Sequence, residues 1–126
     1  MLDFKQNSEQ TGIEPWPSLA DSGANILSGD PQQSGRLDFG TFDGPLMSGV
    51  WECTPGKFEI SYPWGELATI LKGSITVTDS DGRAVTYAPG DSFFVAQGQR
   101  VTWEIHEPVR KCFFIHVAKA ESAAAE

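Results

Sequence analysis

Few side chains in this chain can move protons, attack a substrate or hold a ligand, and their spacing narrows the set. In the run Glu66-Leu67-Ala68-Thr69-Ile70, period-two alternation puts the Glu66 carboxylate on one face with Ala68 and Ile70. Lys111 shares a face with Phe113, Ile115 and Val117. A lysine on an otherwise apolar face either extends its ammonium to water at a strand end or meets a buried acid. Glu66 is the acid we expect it to meet. Such a pair can transfer protons or stabilise developing negative charge. Tyr62 alternates with Phe58 and Ile60, and Trp103 with Val101 and Ile105, so both bring aromatic rings to apolar faces.

The remaining reactive residues read as structural. The two histidines, His106 and His116, fall in the last strands, and the ordinary expectation for each is a surface or interface position. His116 alternates with Cys112 and Phe114, opposite to the Lys111 face. Cys53 and Cys112 lack metal-ligand spacing, and no Cys-His arrangement activates either as a nucleophile. Cys53 is expected as a small core residue. It shares a face with Trp51, and parity alone does not decide whether Trp51 or Glu52 faces inward.

These residues must be positioned by short β segments divided by Gly, Pro and Asp. The pattern predicts strands at 25–28, 36–41, 46–53, 58–62, 67–71, 74–79, 83–87, 92–95, 101–106 and 110–118. Asp79-Ser80-Asp81-Gly82 joins two alternating runs, which is a hairpin signal because Gly supplies the positive φ of a tight turn. No long amphipathic helix is visible, so the expected class is an all-β sandwich or barrel. Residues 1–24 read as a polar N-terminal arm carrying Trp16, either loose or lying over the barrel or over a partner subunit. Residues 25–119 form the barrel, and 120–126 a small-residue tail. At 126 residues this is one domain with a single core. The net charge of −8 argues against nucleic acid and anionic membranes as partners. With no basic-then-apolar leader and no long apolar run, the expectation is a cytoplasmic protein with reduced thiols.

Two segments carry a resemblance. Gly56 to Gly73, with Glu66 seven positions before Gly73, and Pro89-Gly90-Asp91 to Val101, with Gly98, resemble the two motifs of the cupin superfamily. The first motif there is Gly, five residues, His-x-His, a short gap, Glu, six residues and Gly. The second is Gly, five residues, Pro-x-Gly, two residues and His. Ala96 replaces the Pro of the second. The phrases Gly49 to Gly56, Thr102-Trp103-Glu104 and Glu107-Pro108-Val109-Arg110-Lys111 are similar to the ureidoglycine aminohydrolase-like and ethanolamine-utilisation cupins. The resemblance covers roughly 30–117 and implies a jelly-roll β-barrel.

It also implies where a metal would sit. Tyr62 and Trp64 stand at the two histidines of the first motif and Val101 at the histidine of the second; only Glu66 keeps its ligand type. A divalent ion needs three or four converging N or O donors, which this set does not supply, so no metal and no cofactor are expected. The resemblance then implies a barrel pocket walled by Tyr62, Trp64, Trp103, Val101 and Ile70 around a Glu66–Lys111 pair, unless the aromatics simply fill the barrel. The expected function is binding of a small molecule through Lys111, Tyr62 and tryptophan stacking. The alternative is an aminohydrolase, isomerase or lyase acting on a small polar or carboxylated metabolite, with Glu66 as general acid or base and Lys111 beside it. Similarity to cupins implies a homodimer, with Phe39, Phe42 or Phe114 at its seam.

Overall fold

The computed structural model describes residues 1–118, so the tail placed at 120–126 lies outside the described residues. Nine strands follow one another: β1 (Glu14–Pro15), β2 (Asn25–Gly29), β3 (Gln33–Gly40), β4 (Leu46–Cys53), β5 (Gly56–Ser61), β6 (Gly65–Asp79), β7 (Ala84–Tyr87), β8 (Ser92–Val95) and β9 (Arg100–His116). All belong to one sheet. Among the described residues there is no helix, and so none long and apolar enough to cross a membrane.

The two longest strands are its spine. β6 and β9 pair antiparallel from Gly65↔His116 to Asp79↔Val101. The far edge of β9 is shared end to end by two strands: β4 covers Val109–His116 and β5 covers Arg100–Ile105. The far edge of β6 is divided in the same way, between β8 at Glu66–Thr69 and β7 at Ile75–Thr78. Short strands wrapped round a long twisted pair curl the sheet into a half-barrel with its core on the concave side. On β9 the alternation holds on both sides of an exposed stretch at residues 106–108, with Val101, Trp103, Ile105, Val109, Lys111, Phe113 and Ile115 all buried.

The sequence pattern predicts two strands where β6 runs, and two where β9 runs. Gly73 and Pro108 look like breaks, but the structure uses them as one shared irregularity. The β6–β9 register shifts three times between Ile70 and Ile75. Gly73 takes φ +86°, and a Cβ there would lie 2.2 Å from the Pro108 carbonyl oxygen. The Leu71-Lys72-Gly73 corner therefore bends the strand without ending it, and Pro108, which has no N–H to donate, fits the interrupted ladder. The bend also switches the buried face of β6, from Glu66, Ala68 and Ile70 to Leu71, Ile75 and Val77. β1, only two residues long, pairs with Ser34 and Gly35 and is too short for alternation to announce.

The arm is held against the sheet. The Asn7 N–H donates to Leu71 O, Arg110 Nη1 to Ser8 O at 2.9 Å and Arg36 Nη1 to Thr11 O at 2.6 Å. Further along, Leu19 is buried, and Trp16 packs edge-on against Phe42 and Phe113 with centroids 5.2 and 6.4 Å apart. On the outer face Leu67 lies between its strand partners Phe94 and Phe114, and all three are exposed. Phe39 and Phe42 are also exposed, the Phe42 ring standing edge-on to Trp16.

Candidate functional site

The concave side of the sheet encloses a cavity of about 380 Å³. β4, β5, β6 and β9 supply half of its lining residues, Tyr62, Pro63 and Trp64 come from the turn between β5 and β6, and Trp16, Pro17, Leu19 and Ser22 of the arm, with Gln33 and Phe42, complete it. The lining is largely apolar and includes all four tryptophans of the chain. A concave apolar space with a few convergent polar groups is the usual form of a small-molecule site.

Its polar centre is an ion pair. Lys111 Nζ donates to Glu66 Oε2 at 2.5 Å, with both residues almost wholly buried, 6% and 4% exposed. The second carboxylate oxygen, Oε1, accepts from Trp64 Nε1 at 3.1 Å. The ammonium also lies 4.5 Å from the ring centroid of Trp51 and 4.8 Å from that of Trp103. One anion and two aromatic faces therefore compensate the charge that burial removes from water. The register explains the grouping: Lys111 on β9 stands opposite Trp51 on β4 and Ile70 on β6. Phe58 stands opposite Trp103 and stacks on it at 6.1 Å.

A second chain of bonds joins the pair to the arm. Trp51 Nε1 donates to Gln33 Oε1 at 2.8 Å, and Gln33 Nε2 donates to Pro17 O at 2.6 Å and to Ser22 Oγ at 3.0 Å. Trp103 Nε1 is the one buried side-chain polar atom among the described residues without a hydrogen-bond partner. Tyr62 is buried beside it. Burial first, and the Glu66 charge second, push the Tyr62 phenol well above its ordinary value near 10, and the neighbouring Trp103 indole only partly opposes this. The folded state thus favours the protonated phenol. Stability attributable to Tyr62 is complete below the unfolded value and falls as pH rises past it. In an ultraviolet difference titration, wild type and Tyr62→Phe should therefore coincide until the protein unfolds. A separate Tyr62 ionisation step in native protein would contradict this burial.

The sequence-derived positions divide clearly. Glu66, Lys111, Tyr62, Trp64 and Trp103 all line the cavity. Ile70 lies fully buried in the core and Val101 borders a smaller cavity beside β7 and β8, so neither is on this wall. Trp51, left open by parity, faces inward, while Glu52 faces out and accepts from Arg110 Nε at 2.7 Å. Trp16 was marked in the sequence as the aromatic residue of the arm, but Gln33, Pro17, Leu19 and Ser22 carried no signal, because their place depends on contacts between distant segments. His106 and His116 are exposed, and His106 Nε2 meets Thr76 Oγ1 at 2.8 Å. Burial pushes the Cys53 thiol up to about 12, against the pull of Lys111, so its thiolate is suppressed.

The donor set does not fit a metal ion. Of the four positions that the resemblance assigns to metal ligands, Tyr62, Trp64 and Glu66 line the cavity and Val101 does not, and both Glu66 oxygens are engaged. A lysine ammonium already sits beside the one carboxylate. Among the described residues, no three His, Cys, Asp or Glu side chains form a group able to hold a metal.

Solved structures share the fold. A protein of unknown function from Pseudomonas syringae pv. tomato, of the DUF861 family, is 27% identical with TM-score 0.72, over 82% of this chain and 43% of that one. The present chain thus spans less than half of that protein's length. EutQ from Clostridium difficile is 19% identical with TM-score 0.60 over 71% of each chain, and ectoine synthase from P. lautus 16% with TM-score 0.60 over 75% and 72%. At those identities the likeness concerns the fold alone. No curated protein sequence matches this one. The model of the EutQ-like cupin domain matches residues 40–113, which takes in β4 to β8 and most of β9, and the chain belongs to that cupin family.

Proposed function

We propose that this cupin binds a small molecule in its barrel without a metal ion, seating it against the Glu66–Lys111 pair. The observation that carries this reading is the buried ion pair in the wall of an aromatic cavity of about 380 Å³. A cavity filled by its own aromatics would leave no such volume. The ion pair gives the cavity one polar patch of no net charge, and the aromatic walls supply area for burial.

A second reading rests on the same contact. A carboxylate and an ammonium joined by a 2.5 Å hydrogen bond can hand a proton to or from a bound molecule, with Glu66 as general acid or base. Ectoine synthase, an enzyme, has this fold, but the fold alone does not carry its chemistry across.

The test is a thermal-shift survey of neutral, acidic and basic metabolites on wild type, Glu66→Gln and Lys111→Met, each compared with its own ligand-free Tm. A ligand at a hundred times its Kd should stabilise wild type by about 2.7 kcal/mol. That response should shrink in both variants, and dialysis against a chelator should leave it unchanged. Responses that are equal in all three proteins, or lost with the chelator, would overturn the proposal. Consumption of a compound by wild type but not by Glu66→Gln would decide for the enzyme.

A further inference from the structure

We infer that the cavity takes an uncharged, largely apolar molecule that presents a hydrogen-bond-accepting oxygen, such as a ketone or amide carbonyl, to Trp103 Nε1 and the Tyr62 hydroxyl. This inference rests on the binding reading above and narrows it to a ligand class.

The argument is a census of polar capacity. Lys111 is the only cationic side chain in the cavity wall among the described residues, and its ammonium is committed to Glu66 and to the faces of Trp51 and Trp103. Glu66 is the only anion there, and both its oxygens accept, from Lys111 and from Trp64. The pair is internally neutral. A carboxylate ligand would have to separate it or be buried without a counter-charge, and so would an ammonium ligand, at several kilocalories per mole in general. Gln33 is also committed, accepting from Trp51 and donating to Pro17 and Ser22.

Two donors remain. The Trp103 N–H lies in a residue 1% exposed and has no acceptor on the protein. The Tyr62 hydroxyl, in the same wall, lies near enough to the Trp103 N–H to be drawn down by it, though outside good hydrogen-bonding geometry; its own proton has no recorded acceptor, and it stays protonated well beyond neutral pH. A buried donor without an acceptor is costly, so a ligand that brings one acceptor gains more than the bond itself. Apart from the Ser22 hydroxyl and the Trp16 N–H, the rest of the wall is apolar, and it holds no charged side chain to meet a second charged group.

The experiment uses four matched probes: acetophenone, benzoate, benzylamine and ethylbenzene. All four tryptophans line the cavity, so the assigned indole N–H resonances of ¹⁵N-labelled protein report directly on occupancy. Acetophenone should bind saturably and move the Trp103 N–H downfield, as that group gains an acceptor. It should bind more than tenfold tighter than benzoate or benzylamine, as expected when a buried charge lacks a partner. It should exceed ethylbenzene about three- to tenfold, the worth of a made hydrogen bond, and Tyr62→Phe should narrow that margin. Tightest binding by benzoate or benzylamine, with the same resonances moving, overturns the ligand class and keeps the pocket. Equal binding of ethylbenzene and acetophenone overturns the role of the two donors. If no probe moves any indole resonance, the pocket reading fails and this inference with it.

Discussion

Replacing Lys111 by methionine is expected to lower the unfolding free energy by about 3–5 kcal/mol. The loss arises less from the attraction removed than from the charge left behind. Glu66 would remain 4% exposed, with only the Trp64 N–H as a partner. The contacts of the ammonium with the Trp51 and Trp103 faces vanish as well and make up the smaller part of the loss. Adding Glu66→Gln to Lys111→Met should return most of the loss, because a neutral pair of similar shape carries no uncompensated charge. Equilibrium denaturation of the two single variants and the double variant forms a cycle, and a coupling of several kilocalories per mole is expected. A Lys111→Met cost below about 1 kcal/mol, the range of exposed ion pairs, would show that the pair is in contact with water.

The second large effect is at Gly73. Alanine there must adopt φ +86° and place its Cβ 2.2 Å from Pro108 O and 2.9 Å from Val109 Cα. The backbone strain alone costs about 1–3 kcal/mol. The steric part cannot be relieved by a side-chain rotation, because both obstacles are backbone atoms of β9, the strand that carries Lys111. The total is expected to exceed about 4 kcal/mol, a range reached by few single substitutions. Gly82 is the natural comparison. It has φ +88°, but a Cβ there would meet nothing within 4 Å, so Gly82→Ala should cost only about 1–2 kcal/mol. Denaturant midpoints of the two variants separate strain from collision. Equal losses would mean that β6 and β9 approach each other less closely than these distances require.

Much of this was legible in the sequence because β-strands have an unambiguous period. Alternation placed Glu66 with Ala68 and Ile70, and Lys111 with Phe113 and Ile115, and all six are buried. The glycine and proline corners were legible as turn chemistry, but not whether a corner ends a strand or bends it. That outcome is set by the neighbour across the ladder: Gly73 looks the same by itself whether or not Pro108 lies against it. The wall of the cavity was harder still. Ile70 has the right parity yet lies in the core, and Val101 has the right parity yet borders another space. Parity reports a face of the sheet, and a curled sheet has more than one interior region along that face. Trp51 became assignable only once β4 was set against β9, and Gln33 only once the arm was placed.

β9 binds β4 and β5 on one edge and β6 on the other, yet it is made after all of them. During synthesis β4, β5 and β6 emerge from the ribosome with hydrogen-bonding edges that have nothing to pair with. The barrel can close only by contacts that reach back across dozens of residues, which makes folding slow and late. Until Arg100–His116 has emerged, the nascent chain presents open, apolar β edges and depends on whatever shields such segments from one another.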